Sequence, residues 1–187
     1  MEVREAVPKY KRYTYDEYRT WDDDKLWEMI DGVPYAMVAP SRRHQKISGE
    51  LHNQLHNFLK GKPCEVYAAP FEVRLNADTY DDTIVLPDIA VICDESKLDK
   101  NGCVGAPDMV IEILSPSTAM HDKIFKFAQY LRAGVREFWI VNPDSESITV
   151  NILNNDEYAA CTYGNNEVIP VYVLEGCTIS LPEIFEV

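Results

Sequence analysis

The chain has 187 residues, 46% hydrophobic and 26% charged, enough for one well-packed domain and free of glycine- or proline-dominated tracts. No apolar run approaches the roughly 20 residues that span a bilayer, and Met1-Glu2-Val3-Arg4-Glu5 lacks the apolar core of a signal peptide, so no membrane partner is expected. A net charge of −13 argues against a broad non-specific nucleic-acid surface, though not against a small basic patch.

Thr14-Tyr15-Asp16-Glu17 has the form of a capping box and predicts a short helix. After the acidic loop Asp22-Asp23-Asp24, strands at Leu26–Ile30 and Val33–Val38 flank Asp31-Gly32, a tight-hairpin dipeptide. Ser41 caps a helix to about Lys60, with Ile47, Leu51, Leu55, Phe58 and Leu59 at helical spacing as its buried stripe. Gly61 and Pro63 end it. Strands follow at Cys64–Ala69, Phe71–Leu75, Ile84–Cys93 and Met109–Leu114, the last entered through Asp108. Ser115-Pro116-Ser117-Thr118 leads into a second helix, roughly His121 to Ala133, whose apolar stripe is Ile124, Phe127, Ala128 and Leu131. Gly134 stops it. Arg136–Asn142 is another strand, with Phe138 and Trp139 as core. A meander of short strands and a final helical turn at Ser180-Leu181-Pro182-Glu183 complete a single α/β domain over residues 1–187, with a mixed sheet. The cysteines (Cys64, Cys93, Cys103, Cys161 and Cys177) are odd in number, scattered and without C-x-x-C. Reduced thiols in a cytoplasmic protein are expected from them, not a disulfide framework or a zinc site.

Two carboxylates stand inside the most apolar of these runs: Asp88 in Ile84-Val85-Leu86-Pro87-Asp88-Ile89-Ala90-Val91-Ile92, and Glu112 in Met109-Val110-Ile111-Glu112-Ile113-Leu114. A buried ionised carboxylate costs several kcal/mol unless a cation, a hydrogen-bond network or protonation compensates it. Strand alternation puts Asp88 on a face with Leu86 and Ala90, and Glu112 on a face with Val110 and Leu114. If the strands pair, both acids converge, and hard cations such as Mg²⁺ or Mn²⁺ take such oxygen ligands. The plainer alternative is that each is a structural ion-pair member or caps a loop.

Pro87-Asp88, then Glu112 in an apolar strand, then a helix carrying lysine, resembles the PD-(D/E)XK nuclease superfamily. Trp27-Glu28-Met29-Ile30-Asp31-Gly32, His44 opening a helix, Gly105-Ala106-Pro107-Asp108, Glu112 to Thr118, Asp122 with Lys126, and Gly134 to Ile140 narrow the resemblance further. They are similar to a branch of bacterial restriction-endonuclease-like proteins abundant in cyanobacteria. The resemblance runs from Tyr13 to about Phe185. It implies a restriction endonuclease-like mixed β-sheet core flanked by helices, with an added N-terminal hairpin and a C-terminal β-meander. It also implies that Asp88 and Glu112 bind the metal ion and that Lys126 completes the catalytic set, because Leu114 occupies the superfamily's usual lysine position. Glu28 and His44 match further site residues of the branch. His121 replaces an arginine common there.

The helical phase alone sets Lys126 opposite the apolar stripe, where a solvated lysine is ordinary; only the resemblance makes it a candidate. Tyr130, four residues on, shares its face. Arg42, Arg43 and Lys46 form the best local basic cluster, although most such clusters are simply solvated. His121-Asp122 has the form of the HD pair of metal phosphohydrolases, a dipeptide of little specificity. The leading expectation is a Mg²⁺-dependent endonuclease hydrolysing DNA phosphodiester bonds, with a homodimer in view where both strands are cut. The alternative is a non-catalytic binding or assembly protein that keeps the nuclease fold, which the acidic surface and Leu114 favour. A third reading keeps the catalysis and changes the substrate to RNA or a small phosphodiester.

Overall fold

The most apolar strands occupy the middle of the larger sheet. In the computed structural model, which describes residues 11–115 and 125–186, all five residues of β8 (Met109–Ile113) and all four of β6 (Ile89–Ile92) are buried. They pair antiparallel, and β9 (Glu137–Asn142) lies parallel on the other side of β8. β3 (Glu65–Ala68) flanks β6, while β10 (Ser147–Asn154) and β11 (Glu157–Gly164) extend the sheet as a long hairpin. The six-stranded order is β11-β10-β9-β8-β6-β3.

Alternation along these strands feeds two cores. Ile89, Val91, Met109, Ile111, Ile113 and Trp139 face α2 (Arg42–Leu59), whose stripe of Ile47, Leu51, Leu55 and Leu59 is buried as its spacing predicts. The C-terminal helix α4 (Leu181–Phe185) and the small hairpin β12 (Val168–Pro170) with β13 (Thr178–Ser180) close that core. The opposite face presents Ala90, Ile92, Val110 and Phe138 to Tyr130 of α3 (Phe127–Ala133) and to a second sheet.

That second sheet contains the expected N-terminal hairpin. β1 (Trp27–Ile30) and β2 (Val33–Ala36) join β5 (Ile84–Val85), β4 (Glu72–Arg74) and β7 (Gly102–Val104) in the order β2-β1-β5-β4-β7. The apolar run from Ile84 to Cys93 is therefore two strands in two sheets, parted at Leu86-Pro87-Asp88, because proline removes a ladder donor. The β1–β2 turn is the expected Asp-Gly hairpin, with Asp31 at φ +48° and Gly32 at φ +76°. A Cβ on Gly32 would stand 2.7 Å from Cβ of Arg12.

Thr14 caps α1 (Tyr15–Tyr18) through the expected capping box, and Ser41 caps α2. The expectation of five reduced thiols fails at one pair. Glu65 faces Ile92 in the β3–β6 ladder, so the next positions, Cys64 and Cys93, meet and form a disulfide. A sequence separation of 29 gave no hint of that register. No helix among the described residues is long and apolar enough to cross a membrane. The positions Ser117, Thr118, His121, Asp122 and Ile124, and the predicted start of the second helix, lie outside the described residues.

Candidate active site

The β6–β8 register pairs Ile89 with Ile111, and one step further it sets Asp88 opposite Glu112. Asp88 sits where the chain turns from one sheet into the other, and its side chain keeps 18% exposure. Its Oδ2 accepts the backbone N–H of Ile113 at 2.7 Å and lies 3.1 Å from Nε2 of His44. His44 stands in the first turn of α2, where Ser41 Oγ accepts its backbone N–H at 3.2 Å. Asp88 Oδ1 receives no hydrogen bond from the described residues.

Glu112 is only 3% exposed, and a polar set converges on it. Tyr130 donates its hydroxyl to Glu112 Oε1 at 2.6 Å, and Lys126 Nζ lies 2.9 Å from the same oxygen. The same ammonium is 2.6 Å from Oε1 of Glu28, which also accepts the N–H of Leu86 at 2.8 Å. Glu28 and Lys126 are each 2% exposed. Charges this deeply buried persist only when paired and hydrogen-bonded, and here the lysine is held between two carboxylates. Glu28, Glu112, Lys126 and Tyr130 thus form one connected network, with Asp88, just before β6, and His44, from the first turn of α2, beside it.

Lys126 is the main correction to the helical phase. α3 turns Lys126, Gln129 and Tyr130 inward and leaves Ala128 exposed, against the stripe of Phe127, Ala128 and Leu131. The reason is electrostatic. The inner side of the helix meets Glu28, Glu112 and Asp31, and Gln129 Nε2 donates to Asp31 Oδ2 at 3.0 Å while Arg132 pairs with Asp31 Oδ1 at 2.7 Å. These acids draw Lys126 and Gln129 to the buried side, while Phe127 still packs against Phe138 and Tyr158. Leu114 is buried in the usual lysine position, and its backbone N–H bonds Val141.

Other expected features are structural. Asp108 accepts the N–H of Cys93 at 2.6 Å and pairs with Arg136. Phe138 and Trp139 are fully buried. Arg43 of the basic cluster is paired with Glu146 at 2.8 Å, and Arg42 and Lys46 are exposed. Unforeseen were the Asp31–Gln129–Arg132 clamp, which reads in the sequence only as a turn acid plus an i, i+3 pair, and the buried Glu137. Its Oε1 accepts from Trp139 Nε1 at 2.7 Å and its Oε2 from the N–H of Val173 at 2.8 Å, and burial pushes its carboxyl above the usual range.

Among the described residues no three His, Cys, Asp or Glu side chains form a ready-made metal cage. The donor chemistry nevertheless fits a hard divalent ion. Asp88 and Glu112 supply carboxylate oxygens from facing positions, and among the described residues one ammonium stands against three carboxylates. Mg²⁺ commonly binds through one or two carboxylates, with water and substrate phosphate filling the rest of its shell.

Three comparisons bear on the chain. The sequence model of the family described as "Uma2: Putative restriction endonuclease" matches residues 15–182. The uncharacterized protein slr1290 of Synechocystis sp. is 28% identical over 151 residues, 79% of this chain and 77% of that protein. The crystal structure of a putative nuclease belonging to DUF820 from Anabaena variabilis superposes with a TM-score of 0.75 at 20% identity, covering 92% of this chain and 97% of that one. The fold is accordingly restriction endonuclease-like, and the chain belongs to the Uma2 family.

Proposed function

We propose that the protein is a metal-dependent endonuclease that hydrolyses DNA phosphodiester bonds, its chain acting as one domain. The observation that carries this reading is the placement of Lys126 Nζ, 2.6 Å from Glu28 and 2.9 Å from Glu112, on the strand position facing Asp88. In this reading Asp88 and Glu112 hold Mg²⁺ or Mn²⁺. Such an ion, when bound, polarises a phosphoryl oxygen and lowers the pKa of a water ligand. Lys126 orients the attacking water and stabilises the charge that develops on the phosphate. Tyr130 and Lys126 fix the Glu112 carboxylate from one side, Glu28 anchors the lysine, and His44 with the Ile113 N–H fixes Asp88.

Asp88 gives the cleaner test because it is part-exposed and Asn can still accept the Ile113 N–H. Asp88→Asn should remain folded, lower Mn²⁺ affinity by more than about 100-fold and abolish cleavage of single- and double-stranded DNA. Wild-type cleavage in that variant would sink the assignment. A second reading draws on the same ammonium: Lys126 already compensates Glu28 and Glu112, as a non-catalytic member retaining the fold would need. Absence of Mn²⁺ binding in the wild type would favour it.

A further inference from the structure

Outside the acid network, the richest chemistry lies in a cleft of about 440 Å³ on the outer side of the second sheet. Tyr18, Trp21 and Trp27 line it, with Arg19, Lys25 and Leu86. The three rings are part-buried, fixed by packing yet open to solvent. Trp21 lies 5.0 Å from Tyr13 at 88°, 5.5 Å from Tyr18 at 82° and 5.7 Å from Trp27 at 84°, so the rings meet edge to face and do not stack on one another.

The charges in the cleft are divided in a telling way. Both carboxylates are engaged by donors: Glu72 accepts from Tyr15 and Tyr18 hydroxyls at 3.1 and 3.3 Å, and Asp23 accepts from Trp27 Nε1 at 3.0 Å. Neither Arg19 nor Lys25 forms an ion pair among the described residues; Lys25 Nζ lies 5.6 Å from the Trp27 ring centre. Aromatic faces beside unpaired cations are what a nucleotide meets in single-strand binding grooves.

The cleft and the candidate active site meet through the chain that links the two sheets. Leu86, which lines the cleft, donates its N–H to Glu28 and precedes Asp88 by two residues, whereas Trp27 and Glu28 occupy opposite faces of β1. We propose that this aromatic cleft is a nucleobase-stacking subsite, and that DNA reaches Asp88 and Glu112 as an unpaired strand. The proposal rests on the phosphodiesterase reading and names its substrate class. In a duplex each base face is covered by its neighbour, so only an unpaired base has a face to offer Trp21. The exposed acids Asp22 and Asp24 beside the cleft point the same way. They repel the dense duplex backbone, one charge per roughly 1.7 Å of axis, more than the sparser charges of a single strand. An unpaired substrate also removes the need for the two paired active sites a homodimer would bring.

The test is binding of a labelled single-stranded oligodeoxynucleotide and its duplex, in EDTA so that no strand is cut, read by fluorescence anisotropy. The single strand should bind at least about tenfold tighter than the duplex, and Trp21→Leu should lose about tenfold in single-strand affinity. Trp21→Phe, which keeps a stacking face, should retain most of it; circular dichroism and melting temperature check that both variants fold. Equal or tighter duplex binding, or unchanged single-strand affinity in Trp21→Leu, overturns the subsite. The two readings fail separately. Trp21-dependent strand binding with cleavage intact in Asp88→Asn would sink the catalytic assignment and keep the subsite. Loss of cleavage in Asp88→Asn without strand preference would do the reverse.

Discussion

Removing the Lys126 ammonium leaves Glu28 and Glu112 buried around the position it occupied. Breaking a buried ion pair on one side costs about 3–5 kcal/mol, since an uncompensated charge remains. Lys126→Ala should therefore lower unfolding free energy by roughly that amount as well as stop catalysis, and adding Glu28→Gln should recover part of the stability. Urea denaturation of the single and double variants checks this, and an unchanged midpoint in Lys126→Ala would show that the network contributes nothing to stability. Glu137 gives a second test at this scale. Its folded-state carboxyl titrates above the ordinary glutamate value because burial disfavours the charge. The native state thus holds a proton that the unfolded chain has already released, and stability falls as pH rises from the unfolded pKa through the folded one. Glu137→Gln has no such proton. Its stability relative to wild type should rise with pH across that window, and a pH-independent difference would remove Glu137 as the cause.

At the scale of elements, the parallel β4–β7 pair depends on one close approach. Gly102 lies opposite Glu72, and a Cβ there would stand 2.1 Å from the Glu72 carbonyl oxygen. Gly102→Ala must push the strands apart and should cost about 3 kcal/mol; it should also disturb the Tyr15 and Tyr18 contacts to Glu72. A thermal melt matching wild type would contradict this. β7 went unread in the sequence because Gly-Cys-Val is short and carries no alternation. Longer signals were legible: the Thr14 and Ser41 caps, the α2 stripe, the Asp31-Gly32 hairpin, and the buried runs that carry Asp88 and Glu112. The phase of α3 was not, because apolar periodicity measures transfer from water and ignores what the helix packs against. Here the partner surface is acidic, so Lys126, Gln129 and Tyr130 form the buried side. The Lys126 ammonium could be placed only by resemblance, since one partner, Glu28, comes from β1 far away in the chain and the other, Glu112, is reached only through the fold of the connection after β8. Cys64 and Cys93 escaped for a related reason: ladder register is a long-range property.

For the whole molecule, the acidic balance limits how the proposed DNA substrate can be held. With a net charge of −13 and 18 lysines and arginines set against 31 acids, the surface cannot follow a long phosphate backbone. Several cations near the site are already committed, Arg43 to Glu146 and Arg132 to Asp31, whereas Arg19 and Lys25 by the aromatic cleft form no ion pair among the described residues. Two or three phosphate contacts predict a shallow salt dependence. Single-strand affinity should fall only about 20-fold between roughly 50 and 200 mM salt, against 10³–10⁵-fold for proteins making six to ten contacts. On the proposed reading, affinity comes chiefly from ring stacking, which salt screens only weakly, and from an ion held at the acids. Restoring Mg²⁺ to a non-cleaving Asp88→Asn protein should then add little affinity, while Mg²⁺ should tighten strand binding by wild type, measured with a non-hydrolysable backbone. A loss beyond about a thousandfold over the same salt range would require a basic track that the charge distribution does not contain, and would return the binding surface to open question.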